Sequence, residues 1–218
     1  MRVLIANGSG PMGSSVARRL AEDGAQLAIS AATESAAKAA VLPLAKTKGK
    51  AHAVIGNTRT PEATSQVVAD AMAKLGGLDG LVICLETTQP GRLLDLDIAE
   101  LENVLAANSR SLWLLAKAAH PHLKASRGAI VAIGRPAVLA PKAGETAYSA
   151  ALAGAHMVIR VLGQELARDQ IRANFVTADD PAMATIGGTV RFLLGPGASY
   201  ITGQNTIIDG SRLDAARS

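Results

Sequence analysis

Aromatic residues and cysteine are scarce in this chain of 218 residues, and each shortage excludes a class of protein. Aromatics make up only 2% of the residues, so the rings on which nucleic-acid bases stack are nearly missing. The net charge is +4, but the lysines and arginines are scattered rather than clustered, and we expect no nucleic-acid partner. The single cysteine, Cys84, excludes a disulfide framework and favours a reducing compartment.

Long apolar runs are missing as well. No stretch reaches the roughly 18 apolar residues of a membrane span, so no membrane partner is expected. Residues 1–3 lead directly into a predicted strand without a signal peptide, which predicts a cytoplasmic protein. His120 and His122 lack the accompanying acid or cysteine pattern of a metal site, and we predict no metal.

Short apolar strand patterns alternate with helical patterns along the whole chain. Because strands this apolar are buried on both faces, they predict an α/β fold in which helices cover a doubly wound parallel sheet. We find no linker or repeat, so residues 1–218 are predicted to form one domain. The predicted strands are 2–6, 26–30, 51–55, 80–85, 129–133, 171–177 and 205–209. The predicted helices are 12–23, 34–48, 61–75, 98–125, 146–169 and 182–194.

A glycine-rich turn follows the first predicted strand. Residues 7–13 read Asn-Gly-Ser-Gly-Pro-Met-Gly, a G-x-G-x-x-G pattern that opens a helix. Such a turn permits close backbone approach, and the helix N-terminus offers free N–H groups to a phosphate. The alternative is a tight turn without a ligand. The candidate cofactor-binding residues are Gly8, Ser9, Gly10, Met12 and Gly13, together with Asn57 at the end of the third strand.

A second motif begins with Tyr148, at the start of the long predicted helix that follows strand 129–133. This segment resembles the catalytic segment of the short-chain dehydrogenase/reductase (SDR) family, in which Tyr-x-x-x-Lys follows a serine thirteen residues before the tyrosine. In this chain Leu152 stands at the lysine position and Arg135 at the serine position. The resemblance covers about residues 2–178 and 189–212, and it implies a Rossmann-like doubly wound seven-stranded parallel sheet with helices on both faces.

The resemblance also implies an NAD(P) cofactor, but several positions depart from the family pattern. Residues 30–33 contain neither the acid that would contact a ribose nor the cation that would contact a 2′-phosphate. Glu86 stands where the family has a small glycine near the cofactor path, and an unpaired carboxylate there is costly. We therefore expect NAD(P) to bind weakly, if at all.

For catalysis, the resemblance implies that Tyr148 exchanges a proton, that the missing lysine would lower its pKa, and that Asn108 holds a relay water. Arg135 offers two roles. It favours the Tyr148 phenolate in place of the lysine, or it forms an anion pocket with Tyr148 and Asn108. The alternatives are that Arg135 points into solvent and that the Tyr148 ring packs in the protein while its hydroxyl contacts water.

The family also has a substrate lid after its sixth strand, and here the corresponding connection before residue 189 is short. The two long helices, 98–125 and 146–169, are retained. In the family they build subunit contacts, and small residues at 147, 150, 151, 154 and 155 predict close helix packing. We predict a homodimer or homotetramer, or a hetero-oligomer with an intact SDR relative.

These features predict an SDR-like protein with an eroded active site. It would be a non-redox structural or regulatory subunit, or a binder of a small anionic ligand. The alternative is an atypical NAD(P)-dependent oxidoreductase that uses Tyr148 with Arg135 and Asn108.

Overall fold

Seven parallel strands form one sheet in the computed structural model, which describes residues 1–179 and 184–210. Their order is β3-β2-β1-β4-β5-β6-β7, which confirms the predicted doubly wound, Rossmann-like sheet. The strands are β1 Arg2–Ala6, β2 Gln26–Ala31, β3 Lys50–Ile55, β4 Gly80–Leu85, β5 Ala129–Gly134, β6 Arg172–Ala178 and β7 Asn205–Ile208.

Both faces of the sheet are covered by helices because successive strand residues point to opposite faces and nearly all are apolar. Leu4 and Leu81 belong to one buried cluster, whereas Val3 and Val82 belong to the other. The helices are α1 Pro11–Glu22, α2 Glu34–Val41, α3 Pro61–Leu75, α4 Ile98–Leu105, α5 Ser111–Ser126, α6 Thr146–Glu165 and α7 Ala184–Leu194. Side chains of α3, α5 and α6 fill the first cluster, and those of α1 and α7 fill the second.

Two predicted helices end or break earlier than the pattern indicated. The helix predicted over 34–48 ends at Val41, because Pro43 cannot continue an α-helix. The helix predicted over 98–125 is divided into α4 and α5 by a π turn at Ala106–Arg110. Such turns are common at functional sites, and this one contains Asn108. Of the short predicted connection before α7, residues 180–183 lie outside the described residues.

The small-residue face predicted on α6 is in fact split between two environments. Ala147, Ala151 and Ala155 are fully buried against the protein's own core. Ala150 and Gly154, in contrast, are exposed. Three of the five small residues therefore belong to the core of the chain, and their role in subunit contacts stays a prediction for Ala150 and Gly154.

The carboxyl ends of β1, β2 and β4 meet where the strand order reverses. β1 pairs with β2 on one side and with β4 on the other, in parallel register. In a doubly wound sheet this switch point leaves a crevice between the diverging connections. The glycine-rich turn after β1 and Glu86 after β4 therefore lie at the same edge of the sheet.

The last strand is attached to the sheet partly through a buried amide. Asn174 of β6 is fully buried, its Nδ2 donates to the carbonyl of Ile201 at 2.8 Å, and its Oδ1 accepts from the amide of Gln204 at 3.1 Å. These two bonds hold the segment that leads into β7.

Replacing Asn174 by alanine should leave the part-buried carbonyl of Ile201 and amide of Gln204 without this partner. We expect Asn174→Ala to lower the free energy of unfolding by about 2–4 kcal/mol. Urea unfolding measures this loss. Gln66→Ala is the matched control, because its amide bonds Asp70 on the exposed surface of α3, and we expect a change within about 0.5 kcal/mol. Equal unfolding midpoints for the two variants would contradict the role assigned to Asn174.

Candidate functional site

The glycine-rich turn lies tightly against the sheet, and packing alone explains two of its glycines. A Cβ atom on Gly8 would lie 2.7 Å from Cγ2 of Ile5. A Cβ atom on Gly13 would overlap the backbone of Gly8. Since the neighbouring atoms are strand side chains and backbone, these positions require glycine whether or not a ligand binds.

Asn7 occupies the left-handed region of backbone conformation. Its φ is 54°, and asparagine tolerates this conformation better than most residues. The backbone amide of Asn7 donates to Ser30 Oγ at 3.1 Å, and Asn7 Oδ1 accepts from the Thr58 hydroxyl at 3.2 Å. Hydrogen bonds to β2 and to the residues after β3 therefore hold the turn.

Glu86 fills the space in front of the N-terminus of α1. Its Oε1 accepts a hydrogen bond from the amide of Met12 at 2.8 Å. A Cβ atom on Gly10 would overlap Oε2 of the same carboxylate, so glycine at this position makes room for Glu86. Burial raises the pKa of Glu86, whereas the Met12 N–H opposes that shift.

A cleft of about 470 Å³ opens beside this turn. Of the predicted cofactor residues, Ser9, Gly10 and Asn57 line it. Gly8, Met12 and Gly13 are buried beneath it, and Met12 contributes its backbone amide. The structure thus brings the predicted cofactor residues to one place.

The cleft also contains a cation that the sequence motifs did not identify. Arg59 lines it and donates from Nη1 to Asn103 Oδ1 at 2.6 Å. Its only signal in the sequence was its place two residues after Asn57. Ala31 and Ala32, at the end of β2, offer no charged group to a ribose or a 2′-phosphate.

The N-terminus of α1 is where the resemblance places an NAD(P) pyrophosphate. In this structure the Met12 amide at that terminus donates to the Glu86 carboxylate. Two anions at one amide repel each other, so a pyrophosphate and the ionised Glu86 would compete for this donor.

Tyr148 is buried, with 1% of its surface exposed, and both hydrogen-bonding functions of its hydroxyl are used. The hydroxyl donates to the carbonyl of Leu85 at 2.5 Å and accepts from the amide of Arg135 at 3.2 Å. Burial raises the pKa of Tyr148 to about 12, although the Arg135 amide and the guanidinium charge oppose the shift. The alternative that its hydroxyl contacts only water was therefore wrong, because protein atoms occupy both functions.

Leu152 lies one turn further along α6 and is fully buried. It packs so closely on Gly134 that a Cβ there would overlap its Cδ1, and Phe175 lies beside the same glycine. The position that the resemblance gives to a lysine is therefore part of the hydrophobic core.

Arg135 faces a carboxylate rather than open solvent. Its guanidinium lies 3.7 Å from Oε1 of Glu145, and 43% of its side-chain surface is exposed. The backbone of Arg135 contacts the Tyr148 hydroxyl, whereas its side chain forms this ion pair. A pocket for an anion at Arg135 would have to compete with Glu145.

Asn108 is fully buried in the π turn. Its Nδ2 donates to the carbonyls of Thr87 and Val104, each at 2.8 Å. Because two carbonyls fix the amide orientation, Oδ1 is the remaining acceptor, and it has no hydrogen-bond partner within the described part of the chain. A water or a ligand hydroxyl would satisfy it.

These contacts converge on residues 85–87, directly after β4. The carbonyl of Leu85 accepts from Tyr148, Glu86 accepts from Met12, and the carbonyl of Thr87 accepts from Asn108. The structure thus gathers Tyr148 and Asn108 around one segment, with the side chain of Arg135 turned toward Glu145.

Within residues 1–179 and 184–210, no group of three or more His, Cys, Asp or Glu side chains is arranged to hold a metal ion. None of the described helices is long and apolar enough to cross a membrane.

The sequence profile of the short chain dehydrogenase family matches residues 1–181. Among curated proteins, the chain is 26% identical to glucose 1-dehydrogenase of Gluconobacter oxydans, an alignment that covers 96% of this chain and 90% of that protein. It is 28% identical to the mitochondrial dehydrogenase/reductase SDR family member 2 of Homo sapiens, with 96% and 85% covered.

Solved structures show the same likeness. A short-chain dehydrogenase/reductase from Serratia marcescens superposes with a TM-score of 0.87 at 26% identity, covering 95% of this chain and 96% of that one. A 3-ketoacyl-(acyl-carrier-protein) reductase from Brucella melitensis, solved in complex with NADH, gives 0.86 at 21% identity, with 97% of each chain covered. At that identity the second structure speaks for the fold alone.

The two tyrosines of the chain allow a matched test of the buried hydroxyl. Tyr148→Phe should leave the Leu85 carbonyl and the Arg135 amide without their partner, and we expect it to lower the free energy of unfolding by about 1–3 kcal/mol. Tyr200 is fully exposed, so Tyr200→Phe should change it by less than about 0.5 kcal/mol.

Chemical denaturation of both variants beside the wild type is the measurement. A Tyr148→Phe protein as stable as Tyr200→Phe would show that the phenol is not a structural hydrogen-bonding group.

Proposed function

Because the chain belongs to the short-chain dehydrogenase family, we propose that it is a member whose tyrosine has become structural, and that it acts as a non-redox structural or regulatory subunit. One observation carries this proposal. The Tyr148 hydroxyl is buried and donates its proton to the Leu85 carbonyl. A phenol in that position stabilises the end of β4 instead of exchanging a proton with a substrate.

The acid–base chemistry of Tyr148 supports the proposal. A general acid or base works best when its pKa lies near the operating pH. With a pKa of about 12, only about one Tyr148 side chain in 10⁵ is ionised at pH 7. The group that would lower this pKa in the family is a lysine, and Leu152 carries no charge.

The other predicted role, binding of a small anionic ligand, has less support. The guanidinium of Arg135 already has Glu145 as a partner, and the amide hydrogens of Asn108 are used by two carbonyls. An anion would have to displace Glu145. We therefore favour the subunit role over anion binding. We also propose that the protein acts in the cytoplasm, where the buried free thiol of Cys84 would remain reduced.

A second candidate is an atypical NAD(P)-dependent oxidoreductase that uses Tyr148 with Arg135 and Asn108. The relatives favour it over the first candidate, because the proteins matched over nearly their full length carry the names of dehydrogenases and reductases. NADH and NADPH are accordingly the first ligands to test. This candidate requires the Tyr148 hydroxyl to leave the Leu85 carbonyl during turnover.

The subunit role requires a partner surface, and we propose that α5 and α6 provide it. Trp113 of α5 and Met157 and Val161 of α6 are large apolar side chains with 49%, 55% and 44% of their surfaces exposed. A groove of about 550 Å³ between the two helices is lined by Trp113 and Leu162. Apolar groups of this size on helix faces are typical of subunit contacts. We propose a homodimer or homotetramer, or a mixed assembly with an intact relative.

Turnover measurements decide between the two candidates. Purified wild type, Tyr148→Phe and an active family member as positive control are mixed with NADH or NADPH and a panel of aldehydes and ketones. We expect the wild type to oxidise neither cofactor above the rate of Tyr148→Phe, because the phenol holds its proton. Steady oxidation by the wild type that is abolished in Tyr148→Phe would establish the second candidate instead.

Assembly is tested by the mass of the protein in solution. We expect the wild type to exceed the 22.2 kDa of one chain in light scattering. Met157→Glu should return it to the mass of one chain, because a charge on this face must be desolvated in the contact. Leu42→Glu is the control, since Leu42 is also exposed but lies next to α2. A wild type that is monomeric at micromolar concentration would contradict the proposed surface.

A further inference from the structure

We propose that Glu86 is a built-in anion of the α1 N-terminus, so that a phosphate-bearing ligand enters the cleft only when this carboxylate is displaced or protonated. Glu86 would then set which ligands the cleft accepts. This inference is independent of the proposed function, which rests on Tyr148.

The contacts of the Glu86 carboxylate are the first observation that supports this inference. The Glu86 carboxylate accepts from the Met12 amide at 2.8 Å and occupies the space that a side chain on Gly10 would need. Gly8 and Gly13 are explained by packing on Ile5 and on each other. Packing therefore accounts for Gly8 and Gly13 without a phosphate, whereas at Gly10 the neighbouring group is the movable carboxylate of Glu86.

The helix terminus itself has few donors to share. The first N–H groups of a helix are those that lack partners within it, and they attract anions. Here the first helical residue is Pro11, which has no N–H, and the amide of Ser14 already donates to the Gly10 carbonyl. Glu86 uses the amide of Met12. A phosphate that approaches the Met12 amide must therefore compete with Glu86 for that donor.

Charge adds to the competition for space. A diphosphate beside an ionised carboxylate meets a like charge in a half-buried setting, where screening is weak. Of the described residues that line the cleft, Glu86 is the only acid, and Arg59 is the only cation. Arg59 follows β3, whereas Glu86 follows β4, and the Arg59 guanidinium donates to Asn103.

The groups that face Glu86 do not titrate near neutral pH. Burial raises the pKa of Cys84 well above its ordinary value and that of Tyr148 to about 12, so both remain neutral. Protonation of Glu86 itself removes the repulsion. Phosphate binding by the wild type should therefore strengthen as pH falls from 8 to 5, relative to a variant without the carboxylate.

Calorimetric titration of the full chain with ADP and with NADH tests this inference. We expect Glu86→Ala to bind ADP about ten- to a hundredfold more tightly than the wild type, the range for one charge-assisted hydrogen bond and one like-charge contact. Glu86→Gln keeps the volume and loses the charge, so its gain should be smaller than that of alanine. Glu62→Ala removes the same charge from the exposed first turn of α3 and should bind like the wild type.

The outcomes separate this inference from the proposed function. Equal ADP affinities in wild type, Glu86→Ala and Glu86→Gln, or no binding by any of them, would overturn the role of Glu86 and leave Tyr148 unaffected. Tighter binding in the Glu86 variants without oxidation of NADPH would support both. A pH dependence that persists unchanged in Glu86→Gln would also overturn it.

Discussion

The end of β4 must have its polar groups satisfied, and the arrangement of the whole site follows from how this is done. Leu85 ends β4 in register with Gly134 of β5, and residues 86 and 87 then leave the sheet at the switch point. Three distant elements supply partners for this segment. Tyr148 of α6 and Asn108 of the π turn donate to two carbonyls, and Met12 of α1 donates to the intervening carboxylate of Glu86. An unpaired buried backbone group costs free energy comparable to a lost hydrogen bond, so each contact stabilises the fold.

Under the proposed function, this requirement explains why Tyr148 and Asn108 persist beside Leu152. Leu152 belongs to the apolar core around Gly134 and Phe175, whereas a lysine there would bring a charge into the same space. Burial raises the pKa of Tyr148 to about 12, and a neutral phenol is the better hydrogen-bond donor to a buried carbonyl. Catalysis therefore requires a lowered pKa at this hydroxyl, whereas the structural hydrogen bond favours a raised one.

The sheet was readable from the sequence because its signal is local. A short apolar run predicts each buried strand, and the glycines predict the turn after β1. The doubly wound arrangement and the shared edge then follow from general rules. The partner of Tyr148 was not readable, since the Leu85 carbonyl lies 63 residues away and any residue type supplies a carbonyl. The π turn was not predicted, because the residues of Ala106–Arg110 continue an ordinary helical pattern. The sequence did not separate the buried Ala147, Ala151 and Ala155 from the exposed members of the same face, because small residues suit both a core and a partner helix.

A ligand crevice and a closed protein surface solve the same physical problem at the carboxyl edge of a parallel sheet. The free N–H groups of a helix and the free carbonyls of departing strands require partners, which a cofactor supplies in one case and side chains in the other. In this chain Glu86 acts as the anion, Tyr148 as the hydroxyl and Asn108 as the amide donor. The buried Oδ1 of Asn108 has no partner among the described residues, so this replacement leaves one acceptor unsatisfied. A molecule that enters here would therefore gain most from offering a hydrogen-bond donor, and least from offering a negative charge.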